Sequence, residues 1–186
     1  MKDIIEIYLE TGDFHESVRQ SGLPTHVAHL KLIQSGCLKI QDKINYGSRT
    51  ARLGGMAEEL FQKYVPSATD ANKFFEKNNP IYDFWFEGLT VDVKYSSLHK
   101  KKNGNTYYWH IRTKGSQDFI VAFLERESGL ELENPNILLI PMQFIVDKKD
   151  LHISQSGVWL SEFKVESEEL QPLLKDYARL RKEGLF

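Results

Sequence analysis

The first forty residues place apolar positions at helical spacing, and glycines break the pattern into short segments. The first segment carries an apolar stripe made of Ile4, Ile5, Tyr8 and Leu9. This stripe predicts a helix that ends near Gly12, because glycine commonly follows the last helical turn. A second short helix is predicted over residues 14–20, with Val18 facing inward.

A third helix is predicted to begin near Pro24-Thr25, since proline is tolerated in a first helical turn. Its expected buried residues are Val27, Leu30 and Ile33. Its expected outward residues are Thr25, His26, Ala28, His29 and Lys31. Three short helices in this arrangement resemble a helix-turn-helix module, which implies that the third helix contacts DNA. The alternative interpretation is a three-helix cap that packs on the main domain and contacts no nucleic acid.

The pattern changes after a connector over residues 39–53 that contains Gly47-Ser48. A helix is predicted over 54–65, with Met56, Leu60 and Tyr64, or neighbours of these, on its buried side. Strands are predicted at about 81–86, 89–95, 106–113, 118–125 and 136–140. A last helix is predicted after Ser167 and reaches Lys182, although Pro172 is expected to break or delay its start.

The stretch YDFWFEGLTVDVKYSS, residues 82–97, predicts a tight hairpin with Glu87-Gly88 as its loop. Its predicted pairs are Phe86–Leu89, Trp85–Thr90, Phe84–Val91, Asp83–Asp92, Tyr82–Val93 and Ile81–Lys94. Because side chains alternate between faces, one face of this hairpin is apolar throughout. The other face places Asp83 opposite Asp92, with Lys94 two residues further on.

Two facing carboxylates lower the stability of a sheet, because like charges directly opposite repel each other. A divalent cation between them removes that repulsion, and hard oxygen ligands suit Mg²⁺. A neighbouring lysine is suited to orient an attacking water or to stabilise charge that develops on a phosphate. The alternative is an exposed face with a diagonal salt bridge, which would contribute only about 0–1 kcal/mol.

Asp83, Asp92-Val93-Lys94 and Ser96-Ser97 resemble the motif of the PD-(D/E)XK nuclease superfamily. Tyr82 precedes the first acid, so the literal Pro-Asp pair is absent. The resemblance implies a further glutamate on the preceding helix, for which Glu58 in LGGMAEELF fits best and Glu59 is the fallback. It also implies a restriction-endonuclease-like α/β fold, a mixed central sheet flanked by helices. The expected domains are a helix-turn-helix module over 1–42 and a nuclease domain over 43–186.

Several further residues are candidates for contacting a phosphate backbone, with a plain solvated surface as the alternative. They are Arg49, Arg52, Lys100, Lys101 and Lys102. Tyr107, Tyr108 and Trp109 fit core and sheet-face positions better than base stacking. Gln117 precedes a predicted central strand and is a weaker candidate for approaching the metal.

Composition narrows the class of protein. The 186 residues are 41% hydrophobic, which is enough to build a core, and the net charge of −2 argues against unspecific coating of nucleic acid. One cysteine excludes an internal disulfide and a cysteine-rich zinc site. The acidic start MKDIIEIYLE does not resemble a signal peptide, and no apolar run is long enough to span a membrane. These features predict a cytoplasmic protein, with a phage-encoded protein in a host cytoplasm as one case.

The resemblance implies a Mg²⁺-dependent DNA endonuclease in which Mn²⁺ can substitute. Asp83, Asp92 and Glu58 would bind the metal together with the backbone carbonyl of Val93, and Lys94 would act on the water. One site per chain implies a homodimer for cutting both strands. Phage-type or homing-type endonucleases and some restriction enzymes combine such parts. The alternatives are a non-catalytic DNA-binding protein on the same scaffold and a Holliday-junction or RNA-directed nuclease.

Overall fold

The computed structural model describes residues 3–38, 49–71, 82–145 and 147–186. The chain divides into two compact units, Met1–Gly55 and Met56–Phe186. The domain boundary predicted between residues 42 and 43 lies outside the described residues and stays a prediction.

The N-terminal unit contains three short helices, α1 (Ile4–Thr11), α2 (Phe14–Ser21) and α3 (Thr25–Gln34). Asp3 caps α1 in a capping box with Glu6, and the Asp13 carboxylate accepts the amide of Glu16 at the start of α2. Gly12, in the left-handed region, ends α1, and this confirms the predicted end of the first helix.

The core of this unit is formed by Ile4, Tyr8, Phe14, Ala28 and Leu32. The face predicted for the third helix is therefore wrong. Ala28, predicted to face outward, is fully buried, whereas Leu30 and Ile33 are 56% and 52% exposed. Ala28 and Leu32 lie one helical turn apart and share a face. Positions 27, 30 and 33 drift around the helix by about 60° at each step of three residues, so they do not keep to one narrow face.

The first helix also differs from its predicted stripe. Ile7 is buried, and Leu9 is 66% exposed. Ile5 and Val18 are partly buried and pack against the same core, as expected for Val18. The predicted burial of Ile4 and Tyr8 is confirmed, whereas Leu9 was wrongly included and Ile7 was missed.

Helix α4 (Arg49–Tyr64) begins five residues before the predicted start at residue 54. Its buried positions in the second unit are Ala57 and Phe61, each one residue after Met56 and Leu60. The predicted alternative, neighbours of Met56, Leu60 and Tyr64, is therefore the correct one. The predicted connector lies mostly in residues 39–48, outside the described residues.

The second unit is built on a sheet whose strands lie in the order β1 (Thr69–Asp70), β2 (Phe84–Phe86), β3 (Leu89–Ser96), β6 (Phe119–Leu124), β7 (Asn136–Pro141) and β9 (Lys164–Val165). The β3–β6 pair is parallel, and the other pairs are antiparallel. A smaller antiparallel sheet contains β4 (His99–Lys100), β5 (Tyr107–Arg112) and β8 (Asp150–Ser154). A 3₁₀ turn (Met142–Phe144), α5 (Val158–Phe163) and α6 (Ser167–Lys182) complete the unit.

Each face of the larger sheet packs against a different layer. Helices α4 and α6 cover one face through Phe61 and Leu174, which are buried with Phe84, Val91 and other residues of the sheet. The smaller sheet and α5 cover the other face, through a second cluster that includes Trp109, Ile111, Leu151 and Ile153. This is a mixed α/β fold with a mixed central sheet flanked by helices, as predicted.

The five longer predicted strands are confirmed to within a few residues, except that residue 81 lies outside the described ranges. Strands β1, β4, β8 and β9 and helix α5 were not predicted. Helix α6 runs through Pro172 without a break, and its cap is Glu166 in a capping box with Glu169. The cap predicted at Ser167 is therefore one residue too late.

Candidate active site

The β2–β3 hairpin has the predicted turn and the predicted register next to it. Phe86 pairs with Leu89, Trp85 with Thr90 and Phe84 with Val91. Glu87 and Gly88 have φ angles of 47° and 96°, the left-handed values that a tight hairpin turn needs at both positions. The apolar face is buried, which fixes the opposite face as the one that carries the charged residues.

Asp83 ends the regular pairing of the hairpin. Its amide donates to the carbonyl of Val91 at 3.0 Å, and its carboxylate Oδ2 accepts the amide of Val93 at 2.7 Å. The predicted Asp83–Asp92 and Tyr82–Val93 pairs are therefore not part of the ladder, because the Asp83 side chain takes the amide that a backbone carbonyl would otherwise accept. Ile81, predicted opposite Lys94, lies outside the described residues.

Backbone contacts on both sides hold Asp83 in this position. Its carbonyl accepts the amide of Ala71 at 2.9 Å, next to β1, and its carboxylate is bound to β3 through Val93. Asp83 is thus held through both its backbone and its carboxylate, which leaves the carboxylate little freedom to turn away from Asp92. The hairpin therefore presents two acids at a defined position.

Asp92 is buried, with 6% of its surface exposed, and lies in the middle of β3. The Lys94 Nζ lies 2.6 Å from the Asp92 Oδ2. At this distance the two opposite charges form a short ion pair, which works against the cost of burying the carboxylate. A carboxylate oxygen is also a hard ligand of the kind that suits Mg²⁺.

Burial raises the pKa of the Asp92 carboxyl to about 6. The ammonium of Lys94 works against this increase, and the neighbouring Asp83 carboxylate adds to it through repulsion and hydrogen bonding. Desolvation therefore outweighs the favourable ion pair. Asp92 is an acid that the fold makes costly to ionise, which is typical of functional sites more than of structural ones.

Lys94 lies two residues after Asp92 on the same face of β3, and its side chain is 31% exposed. It therefore reaches both the buried carboxylate and the solvent. Trp85 shares this face with Asp83 by alternation along β2 and is 45% exposed. Sequence reasoning missed Trp85, although the same alternation that selected Asp83 also selects it.

The helix carboxylate is less clearly assigned. Glu58 is half-buried, and Glu59 is exposed on α4. Glu59 lines a groove of about 480 Å³ with Lys63 and residues 130–133, and neither Asp83 nor Asp92 is part of that groove. Across the described ranges, no group of three or more His, Cys, Asp or Glu side chains is arranged to hold a metal. The structure thus brings together Asp83, Asp92 and Lys94, and Glu58 as the third acid stays a prediction.

The hairpin is fixed to the rest of the domain by Asp118, which was not a sequence candidate. Its carboxylate accepts the amide and hydroxyl of Thr90 at 2.8 and 2.9 Å. Arg181 on α6 binds the same carboxylate with two nitrogens, at 3.0 and 2.6 Å, and donates to the carbonyl of Gly88 at 3.1 Å. No local pattern indicates this pairing, because Asp118 and Arg181 are 63 residues apart.

The other phosphate-contact candidates lie on several elements. Lys100, in β4, and Lys101 and Lys102, in the loop after it, are exposed. Arg49 is exposed and Arg52 half-buried, both in the first turn of α4. Whether any of these residues contacts DNA stays a prediction.

Two further candidates, Trp109 and Gln117, are buried inside the domain. Trp109 is 1% exposed, and its indole donates to the carbonyl of Glu125 at 2.8 Å, which excludes base stacking in this conformation. Gln117 is buried beside Met142, and its Oε1 has no hydrogen-bond partner in the part of the chain that is described.

On α3, Thr25, His26 and Lys31 are exposed, as predicted. The Lys31 Nζ lies 3.8 Å from the Asp3 carboxylate, a weak ion pair at the surface. His29 is half-buried and packs edge-on against Phe14, with ring centroids 6.2 Å apart. The outward face of this helix therefore excludes Ala28 and includes Leu30 and Ile33, which were predicted to be buried.

Comparisons with known proteins give a weak likeness to solved structures only. No family model and no curated protein matches the chain. Among solved structures it is similar to one titled "The structure of a bacterial homing endonuclease: I-Ssp6803I", with 21% identity and a TM-score of 0.42. The match covers 74% of this chain and 99% of the other. A likeness at this level does not bear on the chemistry of the site. In the described part of the chain, no helix has the length and apolar character needed to cross a membrane.

Proposed function

We propose that the chain is a metal-dependent endonuclease that hydrolyses phosphodiester bonds in DNA, with a PD-(D/E)XK-like site on the β2–β3 hairpin. One observation carries this proposal: Asp83, next to β2, and the buried Asp92 in β3 are neighbours, with Lys94 2.6 Å from Asp92. Two neighbouring acids, one of them buried at a cost in stability, fit a cation site better than a surface salt bridge.

Asp83 and Asp92 would hold Mg²⁺, with Glu58 reaching it directly or through a water and the carbonyl of Val93 as a further ligand. Two carboxylates are enough for Mg²⁺, which keeps several waters and binds substrate phosphate. When bound, the cation supplies electrostatic stabilisation of the charge that develops on the phosphate. Mn²⁺ would substitute, because it accepts the same oxygen ligands.

Lys94 would orient the attacking water or stabilise negative charge on the phosphate. Its partial exposure lets it contact substrate, and the adjacent Asp92 carboxylate fixes its position. It is therefore the residue in this site whose removal would separate metal binding from catalysis.

Positioning on DNA would come from other parts of the chain. The exposed residues Thr25, His26 and Lys31 of α3, with part of His29, would contact the duplex as a helix-turn-helix module. Arg49, Arg52 and the lysines 100–102 would bind phosphates. A homodimer would bring two such sites to the two strands.

The proposal is tested by incubating supercoiled plasmid with the protein and Mg²⁺, beside the variants Lys94→Ala and Lys175→Ala. Lys175 is an exposed lysine on α6 and controls for the loss of one positive charge. Nicking or linearisation by the wild type and by Lys175→Ala, with none by Lys94→Ala, is expected. Cleavage by Asp92→Asn at the wild-type rate would contradict the assignment of this site.

A non-catalytic DNA-binding protein on the same scaffold is the second candidate. It is favoured by the lack of a group of three metal-binding side chains among the described residues. Calorimetry with Mn²⁺ separates the two, since a scaffold without a site binds no Mn²⁺ and an endonuclease does. Competition between DNA and RNA substrates separates a DNA endonuclease from an RNA-directed one.

A further inference from the structure

The smaller sheet has one buried face and one open face. Its inner residues, Trp109, Ile111, Leu151 and Ile153, are at most 2% exposed and belong to the domain core. Alternation therefore places a polar and aromatic set on the other face. We call this the outer face: His99, Tyr108, His110, Arg112, Asp150, His152 and Ser154.

Rings run across the three strands of the outer face. The centroids of His99 and Tyr108 are 5.5 Å apart, those of Tyr108 and His152 are 5.7 Å apart, and those of His152 and His110 are 4.7 Å apart. These contacts join the four rings into one row, in which His99 and His152 are exposed. Imidazole and phenol groups can donate hydrogen bonds. Such a row suits a ligand with regularly spaced acceptor oxygens.

The charge of this region is mostly positive. Lys101 and Lys102 line a groove of about 380 Å³ together with Tyr108, His152 and Ser154. Lys100 and Arg112, also exposed, add two positive charges at the two ends of the sheet. The one acid of the outer face, Asp150, lies 3.2 Å from the Nε2 of His110.

The outer face is close to the candidate active site along the chain. Only Ser97 and Leu98 separate β3, which carries Lys94, from β4. Seven residues lead from Lys94 to Lys101, so their Cα atoms are at most about 25 Å apart. This is less than one turn of a DNA duplex, about 34 Å, so the separation itself is short enough for one duplex to span.

We propose that the outer face and the lysine groove bind the phosphate backbone of the DNA substrate beside the cleavage position. This inference rests on the proposed function and adds a binding surface to it. Charge complementarity selects DNA as the ligand. A row of hydrogen-bond donors with three neighbouring lysines fits the regularly spaced phosphates of a nucleic acid, which an acidic or apolar protein surface does not have.

The test measures the affinity for a fluorescent DNA duplex by anisotropy over a series of salt concentrations, with Ca²⁺ in place of Mg²⁺ to keep the DNA intact. The double variant Lys101→Gln/Lys102→Gln is compared with Lys63→Gln/Lys175→Gln. Lys63 and Lys175 are exposed on the helices that cover the opposite side of the larger sheet. Both double variants lose the same net charge.

The lysine-groove variant is expected to bind at least about tenfold more weakly at 0.1 M salt. Its slope of log affinity against log salt should fall in magnitude by about 2, because each phosphate contact contributes about 0.9. The control variant should keep the wild-type slope. Asp150→Asn should bind severalfold more tightly, a result that misfolding cannot imitate.

The other outcomes separate this inference from the proposed function. If both double variants weaken binding equally, or neither does, the outer face is not a DNA surface, whether or not the plasmid is cut. If the wild type cuts plasmid and the groove variant does so with an unchanged KM, the inference is wrong and the nuclease stands. If the wild type neither binds the duplex nor cuts, both are wrong.

Discussion

Replacing Asp92 by asparagine should make the protein more stable at neutral pH while it abolishes cleavage. The ionised carboxylate is buried, and asparagine has nearly the same shape without the charge. The cost of ionising Asp92 in the folded state is therefore removed with little change in packing. Stability and activity should move in opposite directions in this one variant.

The size of the gain follows from the pKa of Asp92, which the fold raises from 3.8 to about 6. At 1.36 kcal/mol for each pH unit, this difference corresponds to about 3 kcal/mol. Because the folded state has the higher pKa, it binds more protons than the unfolded state between about pH 4 and pH 6. The stability of the wild type therefore falls as pH rises through that window.

The gain of Asp92→Asn should thus be about 3 kcal/mol at pH 8 and below about 1 kcal/mol at pH 4. Urea unfolding of both proteins at the two pH values, without divalent metal, measures it. A gain that is equal at both pH values would show that packing, and not the charge, causes it. If Asp92→Asn is less stable than the wild type at pH 8, the ionised Asp92 carboxylate does not destabilise the folded state.

Mg²⁺ provides a second readout of the same variant. A cation that binds only the folded wild type raises its melting temperature, and the rise continues with the logarithm of the cation concentration once this exceeds Kd. Asp92→Asn should show a much smaller shift at the same Mg²⁺ concentration. Equal shifts would place the cation elsewhere on the protein.

Three further predictions concern the neighbours of this site. Lys94→Met should keep Mn²⁺ binding by calorimetry and lower the cleavage rate about 10²- to 10⁴-fold; loss of metal binding as well would make its role structural. Glu58→Gln should weaken metal binding and cleavage, less than loss of Lys94 does, while Glu59→Gln changes neither; the reverse result would exchange the two residues. Arg181→Met should lower the free energy of unfolding, measured in urea, by on the order of 1–2 kcal/mol. Lys182→Met loses only an exposed ion pair and should lower it by under about 1 kcal/mol. Equal losses would show that the pair between Arg181 and Asp118 is no stronger than a surface pair.

The hairpin could be predicted from the sequence because its information is local. The Glu87-Gly88 turn, the alternation of apolar residues and the acids on the other face all lie within sixteen residues. Turn geometry fixes the register, and the register assigns each side chain to a face. Only the irregular end at Asp83 was missed, because pairing rules do not anticipate a side chain that replaces a backbone acceptor.

Other features depend on contacts between distant segments, and these could not be predicted in the same way. The face of α3 depends on the other helices, because Ala28 and Leu32 share a core with Ile4, Tyr8 and Phe14. Strand β8 has few apolar residues and is defined by pairing with β5, some forty residues earlier. The Asp118–Arg181 pair likewise joins segments that no pattern relates.

The position of the site within the domain explains how the fold tolerates it. The hairpin that carries Asp83 and Asp92 buries Phe84, Phe86 and other apolar residues on its opposite face, and burial of such side chains contributes about 1.5–3 kcal/mol each. Arg181 holds the same hairpin directly at the carbonyl of Gly88, and it also binds Asp118, whose carboxylate accepts the amide of Thr90. These contacts more than offset the approximately 3 kcal/mol that ionised Asp92 costs. Stability alone would favour an asparagine at position 92. A carboxylate kept there at a cost in stability is expected where that carboxylate has a function.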